Sequence, residues 1–303
     1  MSPSPALIAA RSSYAAALLA CVTYGIYFVL AFQCALRVLN QKTLSTTKRS
    51  ALLAYAVVLF LGQTLYFIGG CKWSAIEFVE APVDPAVFAG ELSSSLSMLK
   101  DVMYTMNIWI ADSFILYRAY IFWGRSAVFL LPVATYLGTI ATGVGLLVET
   151  GKPGAVFGQA TVINFGTPFW SLSVATNVIA TALIAGRLLS LRRAITRLDG
   201  RDRIMLRDNT SALVICVESA ALYAICAVIY IPLFAINTPI QYPFSALLGG
   251  VVSISPTLIM LRMASGIAIN GKWGDIALRD IDQDAAVGDL DRDSKLTMDS
   301  VQV

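Results

Sequence analysis

The stretch from Ala127 to Val148, AVFLLPVATYLGTIATGVGLLV, runs from end to end without a charged side chain. A helix that crosses a hydrocarbon layer about 30 Å thick needs about 20 such residues, so this run has the length of a membrane span. Inside that layer no water is at hand, and each backbone donor and acceptor must be paired within the segment, which an α-helix achieves alone. Six further segments read the same way: Tyr14–Leu36, Ala51–Gly70, Val102–Phe122, Ile163–Gly186, Ser211–Ala235 and Tyr242–Leu261. The sequence therefore predicts an all-α polytopic membrane protein, a bundle of seven transmembrane helices.

Composition agrees. The chain is 57% hydrophobic and only 14% charged, where soluble domains carry roughly 25% charged residues. A net charge of +3 is too small to call for a nucleic-acid partner. The lipid bilayer is the partner the composition does call for.

The charges lie between the apolar runs and set the orientation. Of the 22 lysines and arginines, only Arg11, Lys72, Lys100 and Lys152 fall on the side of the N-terminus. The others follow helices 1, 3, 5 and 7, and such a bias marks that side as cytoplasmic. The expected topology is N-terminus out and C-terminus in. Residues 1–13 form an exterior segment, 14–263 the seven-helix domain, and 264–303 a cytoplasmic tail. The tail is rich in aspartates such as Asp280, Asp282, Asp284, Asp289 and Asp291; such a composition buries too little apolar surface to fold alone, so it is expected to be largely disordered. The first run is too long for a signal-peptide core, and basic residues follow rather than precede it, so it reads as a retained helix. In the exterior connection after helix 2, an apolar stretch around Pro85–Leu99 reads as a short interfacial helix or as an outward extension of helix 3.

Chemistry-bearing groups are few. Histidine is absent, which removes the commonest metal ligand and the commonest acid–base group near neutral pH. Of five cysteines, four lie in apolar runs and only Cys71 lies near an exterior end, so no exterior disulfide and no metal-ligand spacing is expected. No cofactor, metal centre or enzyme activity is expected.

Asp112 in helix 3 and Glu218 in helix 6 stand out, because ionisable residues within a span are costly and usually face the bundle interior. By a 1.5 Å rise per residue, both lie roughly 12–15 Å from the cytoplasmic boundary, with Asn177 of helix 5 at about the same depth. Ser253 and Ser255 of helix 7, beside Pro256, lie nearby. One reading is a proton- or cation-linked switch, or part of a ligand or ion path. The other is an interhelical hydrogen-bond layer that fixes packing. Both acids on a cavity open only to the exterior would favour a receptor; a path reaching both faces would favour a transporter; pairing with arginines in a dry core would favour a structural role.

Tyr117 and Arg118 close helix 3 on the cytoplasmic side, as a switch or as a snorkelling anchor beside interfacial aromatics. The arginine is similar in position to one that many seven-helix receptors carry at this helix end. Arg192, Arg193 and Arg197 follow helix 5 and suit anionic lipid head groups or an acidic cytoplasmic signalling partner, besides setting topology. Ala134, Gly138 and Thr142 in helix 4, and Gly249 and Ser253 in helix 7, put small residues on one face for close helix approach.

The runs Ala111-Asp112-Ser113-Phe114-Ile115-Leu116-Tyr117-Arg118-Ala119-Tyr120, Ser173 to Arg187, Glu218-Ser219-Ala220-Ala221-Leu222-Tyr223 and Ser255-Pro256-Thr257 together resemble a large family of uncharacterised seven-helix membrane proteins of mushroom-forming basidiomycete fungi. The resemblance covers helices 3 to 7 well and helices 1 and 2 loosely. It implies a fold and a membrane location and brings no activity or ligand with it. Retinal proteins need a lysine in helix 7, and zinc-dependent hydrolases and rhomboid proteases need histidine; neither is present.

The first functional expectation is a receptor-like sensor of a small-molecule or lipid ligand. The alternatives are a transporter or channel that uses the intramembrane acids, and a structural or lipid-organising membrane protein. The plasma membrane is the default location.

Overall fold

A computed structural model describes residues 4–40, 46–83, 94–124, 127–156, 158–195 and 203–262. Among these the fold is all-α, with no strand. The helices are α1 (Pro5–Asn40), α2 (Thr46–Ala75), α3 (Ser95–Trp123), α4 (Leu130–Thr150), α5 (Ala160–Ile195), α6 (Arg203–Ala235) and α7 (Gln241–Arg262). Each apolar run read from the sequence lies within one helix, apart from the first residues of the Ala127 run. Those form a single 3-10 turn, Ala127–Phe129, that leads into α4.

Most helices overrun the apolar segments that predicted them. The hydrophobic criterion finds only the part suited to hydrocarbon, whereas a helix continues until a residue stops it. The Leu- and Arg-rich sequence after Gly186 propagates a helix well, and α5 runs on to Ile195. α2 passes into a π-helical turn at Ile76–Glu80, where the Ala81 N–H reaches back to the Ile76 carbonyl at 2.9 Å. α3 begins at Ser95 with Ser94 as its cap, so the end of the Pro85–Leu99 stretch is an outward extension of this helix. Residues 84–93 of that stretch lie outside the described residues. So do residues 263–303, and with them the acidic tail.

The helices close a ring in which α1 packs on both α2 and α7, α4 on α5, α5 on α6 and α6 on α7. α3 occupies the middle and touches α2, α4, α5 and α7. α1, α3, α5 and α7 all begin at one end of the bundle, its N-terminal end. Two loops meet there. Gly158, before α5, has φ +89° and sits against the Asn237 side chain of the α6–α7 turn, so both its conformation and its lack of a Cβ are needed.

Five helical stretches are long and apolar enough to cross a membrane: Leu7–Asn40, Arg49–Glu80, Ala127–Thr150, Ala160–Arg187 and Gln241–Leu261. In α6 the apolar stretch is the shorter Ala220–Ala235. α3 carries Lys100, Asp101, Asp112 and Arg118, which lower its apolarity. Outward faces show Val22, Val29 and Phe32 on α1, Leu61 on α2, Leu137 and Val148 on α4, and Val228 on α6. The interior holds Gln63, Asn107, Asp112, Ser173, Asn177 and Ser253, all buried. Apolar side chains outside and polar ones inside invert the pattern of a water-soluble domain and suit a hydrocarbon surround, in which polar groups pair between helices.

The largest apolar cluster lies toward the N-terminal end, around Ile108, Phe169, Trp170, Tyr230, Phe234 and Leu248. Trp170 meets Tyr230 and Phe234 edge-on, with ring centroids 4.8 and 4.5 Å apart. Such pairs contribute about 0.5–1.5 kcal/mol each beyond the area they bury.

Candidate functional site

Small residues let the helices approach closely enough for polar side chains to meet. A Cβ on Gly62 would strike the Asn107 side chain, and one on Gly249 would lie 2.9 Å from the Tyr66 hydroxyl. The expected close approach at Gly138 is present too, against Leu172. At Gly62 the approach brings α2 within reach of α3, and Gln63 then serves as a shared acceptor. Its Oε1 takes hydrogen bonds from Asn107 Nδ2 at 3.2 Å and from Ser253 Oγ at 2.9 Å, tying α2, α3 and α7 together.

A second polar group lies on another face of α3. Asp112, 3% exposed, accepts a hydrogen bond from Ser173 Oγ of α5 at 2.7 Å. The same hydroxyl stands 2.8 Å from the Tyr223 hydroxyl of α6. The five residues from Asn107 to Asp112 advance about 7.5 Å along the axis and turn well away from the first face. The polar layer expected at one level is therefore two clusters, divided by α3.

Asn177, Ser253 and Ser255 are buried as their positions suggested. Asn177 lies one turn beyond Ser173 on α5, and its Oδ1 has no hydrogen-bond partner among the described residues. Glu218 departs from expectation: its side chain is exposed on the outside of α6 and does not join Asp112. The helix turns about 100° per residue, so a depth estimate places a residue along the axis and leaves its facing open. The buried contact on α6 is made five residues later by Tyr223.

Tyr117 is 60% exposed, and Arg118 is partly buried. Near them, Trp123 donates its indole N–H to the Leu183 carbonyl at 2.9 Å and lies under the Arg187 guanidinium. That ties the ends of α3 and α5 together. Arg192 and Arg193 belong to the last turn of α5, with side chains outside the description, and Arg197 lies outside the described residues. Packing of α1 on α2 brings Cys21 and Cys71 near one another, both as free thiols. Cys71 thus has a cysteine neighbour that its place in the chain did not suggest.

A cavity of about 80 Å³ lies in the N-terminal half of the bundle, with walls from every helix except α1. On the same measure a single water needs roughly 10–15 Å³, so the space holds several waters or a compact organic molecule. Tyr66, Tyr104, Trp170 and Tyr230 form its aromatic walls, and Lys100 and Asp101 bring charge to it. Trp170 Nε1 donates to the Tyr104 hydroxyl at 3.1 Å, fixing both rings. Neither Asp112 nor Glu218 lines this cavity.

Sequence reading passed over Asp101 and Lys100 because they fall at the edge of a span, where charge is ordinary. Gln63 and Asn107 were open to discovery as amides within apolar runs. The aromatic residues gave no signal, since Tyr and Trp near span ends are the usual interfacial composition. Compared with known proteins, the chain matches no family model, no curated protein and no solved structure.

Proposed function

We propose that this chain is an integral membrane protein with seven spans, its N-terminus outside and its C-terminus in the cytoplasm, and that it acts as a receptor-like sensor of a small molecule. One observation carries this reading: the cavity lies in one half of the bundle and draws its walls from six helices. An occupant would touch all six, and a ligand that favours one packing over another shifts the population toward it. The lysine and arginine bias supports an exterior location for that half. The cytoplasmic ends of α3 and α5, with Tyr117, Arg118 and the arginines after Gly186, would then face a signalling partner or anionic lipid.

The two mid-span acids favour neither the receptor nor the transporter reading, because neither lines the cavity: Glu218 faces outward and Asp112 is engaged by Ser173. Membership of the basidiomycete seven-helix family rests on the four sequence motifs alone.

The test is a thermal-shift screen of small molecules on the purified chain in nanodiscs, since any binder of the folded state raises its apparent stability. Hits should disappear when Thr105→Trp fills the cavity. A screen whose hits all survive that substitution would remove the cavity as the sensing site.

A further inference from the structure

We infer that the cavity takes a small organic cation, an alkylated or quaternary ammonium, with Asp101 as its counter-charge and Tyr66, Tyr104, Trp170 and Tyr230 as aromatic walls; this rests on the reading of the cavity as a ligand site. Asp101 stands two turns into α3 from its cap at Ser94 and contributes to the cavity wall. Among the described residues no hydrogen bond or ion pair engages its carboxylate. Its sequence neighbour Lys100 places its ammonium over the Trp73 ring, 4.9 Å from the centroid, instead of in a salt bridge with Asp101. Tyr66 and Tyr230 line the same cavity as Asp101.

A partly buried carboxylate is costly unless paired, and the one cation in the cavity wall, Lys100, turns its ammonium to the Trp73 ring and makes no ion pair with it. A cation would pair with it and also gain from aromatic faces, which attract cations through their quadrupoles. A neutral occupant would cover the carboxylate and leave it unpaired. An anion would be repelled by it. A volume of about 80 Å³ restricts the occupant to a compact head group.

The experiment uses the full chain in nanodiscs and three probes: choline, its neutral isostere 3,3-dimethylbutan-1-ol, and acetate. Binding is read by calorimetry and by tryptophan fluorescence at constant ionic strength. Choline should bind and the other two should not. Asp101→Asn should weaken choline by about tenfold or more, equal to about 1.4 kcal/mol. Lys100→Met should tighten it, because a nearby positive charge is removed. Thr105→Trp should abolish it. Asp101→Glu keeps the charge and should retain most of the binding, which separates a charge effect from misfolding. Equal binding of the alcohol and choline, both lost in Thr105→Trp, would overturn the cation assignment and leave the ligand cavity standing. Choline binding that persists in Thr105→Trp would overturn both. Failure of choline to bind at all would overturn the assignment.

Discussion

Asp112 on α3 accepts its hydrogen bond from Ser173 on α5 at 2.7 Å, and the pair lies buried among apolar side chains. The serine hydroxyl also meets Tyr223, so one small side chain joins three helices. Removing it should cost more than its size suggests. Ser173→Ala leaves a buried carboxylate and a buried phenol without their shared partner, a loss of about 1–3 kcal/mol. Tyr223→Phe should cost less, because the bond from Ser173 to Asp112 survives. The midpoints of thermal unfolding in a double-mutant cycle will show the coupling; strict additivity would mean that the three groups do not act together.

The acceptor Gln63 invites an asymmetric comparison. Ser253→Ala removes one donor and leaves Gln63 bonded to Asn107. Gln63→Leu removes the acceptor and strands two buried donors, at about 1–3 kcal/mol for each left unsatisfied. Gln63→Leu should therefore lower the unfolding midpoint further than Ser253→Ala. The reverse order would contradict the bonding pattern described for α2, α3 and α7.

Glu218 should behave unlike Asp112, although both are acids within apolar sequence. Its side chain faces away from the bundle. Glu218→Leu should leave folded stability within about 0.5 kcal/mol, as is usual for a surface position, and should aid insertion by removing a charge just before the apolar stretch Ala220–Ala235. Comparing thermal stability and membrane yield of Glu218→Leu with Asp112→Leu tests this; a marked destabilisation by the former would place Glu218 inside.

At the N-terminal end, Gly158→Ala imposes a side chain where φ is +89° and where the Asn237 side chain already lies. Left-handed backbone alone costs roughly 1–2 kcal/mol for a residue with a Cβ, and the contact adds to it. A lowered unfolding midpoint is expected, partly restored by Asn237→Gly, which clears the space and keeps a residue that tolerates φ 50°. No rescue would show that backbone strain is the whole effect.

Orientation can be read by labelling. A cysteine introduced at Gly154, between α4 and α5, should react with an impermeant maleimide in intact cells when the native thiols are replaced. One introduced at Ser45, between α1 and α2, should react only after permeabilisation. The opposite result would invert the topology that the lysines and arginines imply.

Sequence alone determined the number and placement of the helices, because a run such as Ala127–Val148 has a length and an apolarity that hydrocarbon accepts and water does not. Of the polar residues that it singled out within those runs, Asp112, Asn177, Ser253 and Ser255 are buried, but the rise per residue did not divide them between two clusters. Only the tertiary structure decided facing and company. Asp112 turns inward to Ser173 while Glu218 turns outward, and Gln63, Asn107 and Ser253 meet although each comes from a different helix. Asp101 reaches a cavity whose aromatic walls come from other helices. Facing depends on how each helix rotates about its own axis to satisfy its neighbours. In a chain whose spans are apolar on nearly every side, no amphipathic period records that rotation.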